Sequence, residues 1–178
     1  MRNNALYGLM LALMCILVYI TLRFEFKYAV AATIGLAHDV IITIGSVCVL
    51  HAIGVPIQIE LNTIAALMAI IGYSLNDTII IFDRIRDDLK LLRKLSFKDI
   101  VHHALNVTLS RTIMTSGTTV LVLLALVSLG GSTLFGFALV MTIGIVYGTL
   151  SSLFVATPIL YYLQRRESAK TPTVLEHK

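Results

Sequence analysis

Long apolar runs constrain this chain more than any other feature. Stretches 5–22, 28–50, 61–82, 112–129 and 134–163 are apolar all round rather than along one stripe. A helix of a water-soluble protein buries one stripe and wets the rest. A run of ~20 apolar residues is enough to cross the hydrocarbon core of a bilayer. Composition agrees: 57% of the 178 residues are hydrophobic and 13% charged, against roughly 45–50% and about 25% in soluble domains. Lipid offers backbone N–H and C=O groups no partners, so such runs must close their hydrogen bonds internally, as helices. The expected fold is all-α, a polytopic membrane bundle with five transmembrane helices. The first run is too long for a signal-peptide core, has no small-residue cleavage site and is followed by further spans, so it is read as a span. One transmembrane domain is expected over 1–165, followed by a polar, disordered tail over 166–178.

Basic residues orient the bundle. Arg23 and Lys27 follow the first run, and Arg84, Arg86, Lys90, Arg93, Lys94, Lys98 and Arg111 lie between the third and fourth. Arg165, Arg166, Lys170 and Lys178 close the chain, while connections 51–60 and 130–133 carry none. Of the 14 Lys and Arg residues only Arg2 falls on the other side, and the basic side of a membrane protein is cytoplasmic. The N-terminus is therefore expected outside and the C-terminus inside. An odd span number with an exterior start suggests a fragment lacking an upstream helix. The net charge of +4 is thus topological, and no nucleic-acid partner is expected.

The long basic connection has a pattern of its own. Ile85, Leu89, Leu92, Leu95, Ile100, Ala104 and Leu105 recur near helical spacing among charges. That pattern predicts an amphipathic helix over 84–108 lying at the cytoplasmic interface, its basic face toward anionic lipid. Ser96 followed by Asp99 can restart a helix as a capping box. His102 and His103 point about 100° apart on a helix and cannot easily share a metal, so they are read as surface residues. Cys15 and Cys48 lack CxxC spacing and are read as inert buried thiols. No metal or cofactor is expected.

Polar residues inside the spans point to function. Asp39, beside His38, lies eleven residues beyond Tyr28, near mid-bilayer. Asp77, preceded by Asn76, lies five residues before Phe82, about 7–8 Å inside the boundary at 1.5 Å per residue. An ionised side chain at such depth costs on the order of 3 kcal/mol even on insertion scales and marks a site by default. Ser74 shares a helix edge with Asp77, and Arg111, Thr115, Ser116, Thr118 and Thr119 form a polar face on the fourth span. Desolvation favours a neutral carboxyl group and a nearby guanidinium favours the ionised one. A carboxylate whose arginine partner comes and goes with conformation would bind and release a proton. Gly144, Gly148, Ser151 and Ser152 supply a small-residue face for close helix packing, and GGSTLFG at 130–136 reads as a tight exterior turn.

GYSLNDTIIIFDRIRDD at 72–88 resembles the signature of the SecF component of the SecD–SecF protein-export complex, within the proton-driven RND superfamily. FEFKYAVAATIGLAHDVIITIG, LSRTIMTSGTT and GTLSSLFVATPIL fit as well, and the resemblance runs from about residue 2 to 163. It implies spans two to six of a six-span protein whose large periplasmic domain lies between the first two. It implies a bacterial inner (cytoplasmic) membrane location, the N-terminus of this stretch periplasmic and the C-terminus cytoplasmic. It also implies assistance to translocation of unfolded preprotein through SecYEG, driven by the proton motive force, with SecD as the membrane partner. Carried over by position, Asp77 is the proton-relay carboxylate and Arg111 its basic counterpart. Asp39, Asn76, Ser74 and Thr115 are supporting polar residues.

Alternatives differ in what they need. Half of another RND-type lipid or drug exporter would carry a different motif where SLNDTIII stands. An intramembrane aspartyl protease would use Asp39 and Asp77 as a dyad. That family, however, has GxGD where this chain has SLND, and the two carboxylates differ in expected depth by about 7 Å. A passive assembly subunit would need no proton chemistry. Transport by a non-enzymatic subunit is the reading adopted.

Overall fold

A computed structural model describes residues 25–57, 61–92 and 94–170, with isolated positions before them (7, 8, 11, 14, 15 and 18). The described residues contain helices and no strand: α1 (Phe26–Ala52), α2 (Leu61–Leu91), α3 (Phe97–Leu129) and α4 (Gly131–Ser151), then a π-helical segment (Ser152–Ala156) and α5 (Thr157–Lys170). Four stretches are long and apolar enough to cross a bilayer: α1, α2, α3 and the continuous rod from Gly131 to Arg166. The expected span 5–22 lies outside the described residues apart from those isolated positions; of the tail expected to be disordered over 166–178, residues 166–170 continue the last helix and 171–178 lie outside the described residues.

The helix expected over 84–108 at the interface does not exist as a separate element. Residues 84–91 prolong α2, residues 97–108 open α3, and the chain turns at 94–95 between them. The apolar face that predicted a lipid-facing helix is spent on helix partners: Ile85 and Ala104 are buried in one cluster with Val101, Phe82 and Leu160, and Ile100 is buried as well. No proline or glycine interrupts 73–116, so each helix runs on until Ser96 caps the second. Its Oγ accepts from the Asp99 backbone N–H at 3.3 Å and donates to the Asp99 carboxylate at 2.6 Å. The turn expected over 130–136 is also tighter than its sequence suggests. Gly131, at φ +70°, reverses the chain where a side chain would be strained, and residues 132–136 are already helical.

Helices α2 and α4 form the centre, each packed against α1 on one side and α3 on the other. Their approach depends on the small-residue face of α4. A Cβ at Gly144 would overlap Ile70, and one at Gly148 would sit 3.0 Å from the Ser74 Cβ. Below Pro158, whose ring cannot accommodate the carbonyl four residues earlier, the rod widens into its π-helical segment, and Thr157 Oγ1 donates to the Ser152 carbonyl at 2.8 Å. One apolar cluster (Tyr28, Phe82, Ile85, Leu160) fills the basic end and another (Val47, Ile57, Ile70, Val140) the opposite end. Cys15 and Cys48 are exposed rather than buried, because each sits on an outward apolar face.

Candidate functional site

Between the two apolar clusters every central helix contributes a polar side chain. Asp39 on α1 and Asp77 on α2 are 1% and 2% exposed. Ser74 Oγ donates a short hydrogen bond to Asp39 Oδ2, and His38 Nδ1 lies 3.2 Å from Asp39 Oδ1. One turn further along α2, Asp77 Oδ2 accepts from Ser116 Oγ of α3 at 3.3 Å. Ser116 is in turn 2.7 Å from Thr149 Oγ1 of α4. A serine has a single hydroxyl proton, so while Ser116 donates to Asp77 it is Thr149 that donates to Ser116. The Gly148 backbone passes beside Asp39, where an added Cβ would be 3.6 Å from Oδ2. Glycine thus lets α4 close over Ser74 and the Asp39 carboxyl group.

Ser74 and Asp77, three residues apart, share one face of α2, so Asp39 and Asp77 lie about one turn, some 4.5 Å, apart in depth. Each is held by its own serine, and they do not form a dyad. Among the described residues neither is ion-paired with Lys or Arg. The buried hydroxyls of Thr43, Thr112 and Ser151 take no hydrogen bond. Thr43 follows Asp39 by one turn and Thr112 precedes Ser116 by one turn, so the polar line extends along both helices.

The structure therefore brings together Asp39, Ser74 and Asp77 and leaves other expected members outside. Arg111 is exposed and acts on Asp77 only through space. It precedes Ser116 by five residues, about 140° around the helix, so its stem leaves α3 on another side. Asn76 is exposed although it adjoins Asp77, because neighbouring residues diverge by about 100°. Thr115 is exposed and its hydroxyl returns to the carbonyls of Arg111 and Thr112, at 3.0 and 3.1 Å. Thr149 was not anticipated. Within GTLSS it reads as part of a packing stripe, and the only signal was a hydroxyl next to Gly148.

The family described as "Protein export membrane protein SecD/SecF, C-terminal" matches residues 1–166. This chain belongs to the SecD/SecF family. Similar SecF subunits include that of Rhodothermus marinus, 43% identical over 171 residues, covering 96% of this chain and 56% of that protein. The SecF of Escherichia coli O157:H7 is 43% identical over 179 residues, covering 94% and 54%. A crystal structure of SecDF from Thermus thermophilus, described as a translocon-associated membrane protein, superimposes with a TM-score of 0.85 at 43% identity. It is covered over 22% of its length by 93% of this chain. The chain spans about half the length of these SecF relatives. With four helices able to cross a bilayer, this SecD/SecF member is a multi-pass membrane protein.

A further buried carboxylate in this SecD/SecF bundle belongs to the basic end. Asp88 on α2 is 1% exposed, pairs with Arg84 at 3.1 Å and lies 2.9 Å from His103 Nδ1 of α3. The charges after Asp83 read in the sequence as an ordinary solvated exit, yet this one bolts α2 to α3.

Proposed function

We propose that this chain is the SecF-type membrane part of a protein-export machine, in which Asp77 takes up and releases protons as the helices shift. One observation carries this reading: a buried carboxyl group held by the Ser116 hydroxyl with Thr149 behind it, and with no cation paired to it among the described residues, in a bundle of the SecD/SecF family. Hydroxyls left unpaired in a buried site cost about 1–3 kcal/mol each. A bundle built only for stability would replace them with apolar groups. In the proposed cycle Asp77 holds a proton while hydroxyls alone surround it. It yields that proton when a cation, Arg111 or one from a partner, approaches. The Thr149–Ser116–Asp77 chain supplies a route along which hydroxyl protons can be relayed.

The partner reading rests on α3, the least buried of the candidate spans. Arg111, Thr115, Gly117 and Thr118 lie exposed among Ile113, Met114, Leu121 and Val122. Polar groups facing lipid are unfavourable and small residues favour helix contacts, so this face suits another membrane protein. The Thermus relative is a single chain named SecDF, which supports a SecD-like half as the occupant. The chain then lies in a bacterial inner membrane, residues 5–22 forming a fifth span, with the basic ends of α2 and α3 in the cytoplasm. SecYEG and unfolded preprotein are its proposed working partners, and it is read as a transport subunit, not an enzyme. Replacing Asp77 with Asn in the complete export complex, in inverted membrane vesicles, tests the relay. Proton-dependent late translocation is expected to fall to the level of vesicles lacking the subunit, with assembly intact. Proton-driven export that continues unchanged would refute the relay.

A further inference from the structure

We infer that the groove between the start of α3 and α5 is a binding site for one anionic phospholipid. This inference rests on the membrane reading of the bundle and is independent of the export role. The groove encloses about 410 Å³. Its lining changes character along its length. Leu105 and Leu153 form an apolar inner part, Lys98 stands at the end marked by Tyr161, and His102 lies between them, one turn beyond Lys98. The two basic side chains are four residues apart, so both project from the same face of α3. They sit in the charge-rich segment that follows the α2–α3 turn, whereas Leu153 belongs to the apolar rod that begins at Gly131. The groove thus crosses from membrane interior to headgroup level on whichever side that end lies.

Two features hold it open. Tyr161, which lines it, stacks on Phe97 with ring centroids 5.7 Å apart and planes at 10°, tying α5 to the first turn of α3. The π-helical segment before Pro158 rotates Leu153 relative to a regular helix, and Leu153 is only partly buried there. Chemistry selects the occupant. An acyl chain fits an apolar channel, and the phosphate of a headgroup fits a lysine ammonium with an imidazole N–H one turn away on the same helix face, which donates in either protonation state. Lys98, His102 and the neighbouring Lys94 are all exposed. The charge of Lys98, which alone of the two lysines lines the groove, favours phosphatidylglycerol over a zwitterionic lipid.

The experiment reconstitutes the whole chain into vesicles of equal phosphatidylglycerol and phosphatidylcholine, extracts it, and counts retained lipid by native mass spectrometry. The expected result is one phosphatidylglycerol per chain, with retention falling roughly five-fold in Lys98→Gln, the size of an interfacial lysine attraction, and falling also in His102→Gln through loss of the imidazole donor. Lys94→Gln, outside the groove, is expected to retain lipid normally. Leu153→Trp, which fills the groove, is expected to lose retained lipid whatever its headgroup. Equal retention of phosphatidylcholine, unchanged retention in the Lys98 and His102 variants, a Lys94→Gln loss as large as theirs, or lipid still held by Leu153→Trp would each overturn the assignment.

Discussion

A carboxyl group taken out of water keeps its place only where donors replace the water, and Asp77 has Ser116 at 3.3 Å with Thr149 behind it. Ser116→Ala removes that donor without adding bulk, and leaving a buried acceptor unsatisfied costs about 1–3 kcal/mol. Thermal unfolding in detergent should show this as a clear drop, with Thr149→Ala milder because Thr149 reaches Asp77 through Ser116. An undiminished melting temperature in Ser116→Ala would mean that Asp77 does not depend on that hydroxyl. Asp88 behaves differently. Its partners Arg84 and His103 are 37% and 45% exposed at the side chain, so they regain water when the carboxylate goes. Asp88→Ala is therefore expected to cost about 1–2 kcal/mol, below the 3–5 of a fully buried pair. Arg84→Ala should cost less, as an i,i+4 pair on a partly wet surface. Chemical or thermal unfolding of both variants would check the order.

Helix α4 carries the tightest constraints of any element. Gly144 lies against Ile70 with no room for a methyl group, while Gly72 on α2 has nothing within 4 Å of an added Cβ. Gly144→Ala is expected to destabilise by about 1–3 kcal/mol through overpacking, and Gly72→Ala to be neutral or stabilising by about 0.5–1 kcal/mol. Equal effects in unfolding measurements would contradict the packing described. Pro158→Ala should let the π-helical turn close and rotate Tyr161 away from Phe97. Disulfide trapping between Phe97→Cys and Tyr161→Cys would then fall in yield. The spans covered by α1 to α4 were legible in the sequence because lipid demands long apolar runs, and the carboxylates because burying them is costly. The hairpin formed by 84–91 and 97–108 was not, since the same amphipathic period suits a helix lying on lipid and two arms facing each other. That Arg111 faces outward and that Thr149 faces Ser116 were not legible for a related reason. Which side of a span meets its neighbours depends on packing, and a threonine can satisfy itself on its own helix, as Thr115 does.

At the level of the whole molecule, one flank is finished and the other open. The span of α3 is far less buried than that of α2, and its exposed face mixes Met114 and Val122 with Arg111 and Thr118. A spin label at Met114→Cys is expected to be accessible to lipid-dissolved oxygen in the isolated chain and shielded once a SecD-like partner is co-assembled. Equal accessibility in both states would place the partner elsewhere. The prolonged helices add a mechanical consequence. From Ser74, where α2 presses on Gly148, to Leu91 is about 25 Å of uninterrupted helix, and Asp88 couples its far end to α3. A tilt of about 10° at that fulcrum swings the tip by roughly 4 Å. Under the proposed relay the helix pair would work like a crank, turning a rearrangement of one hydrogen bond among buried hydroxyls into a stroke large enough for another protein to feel.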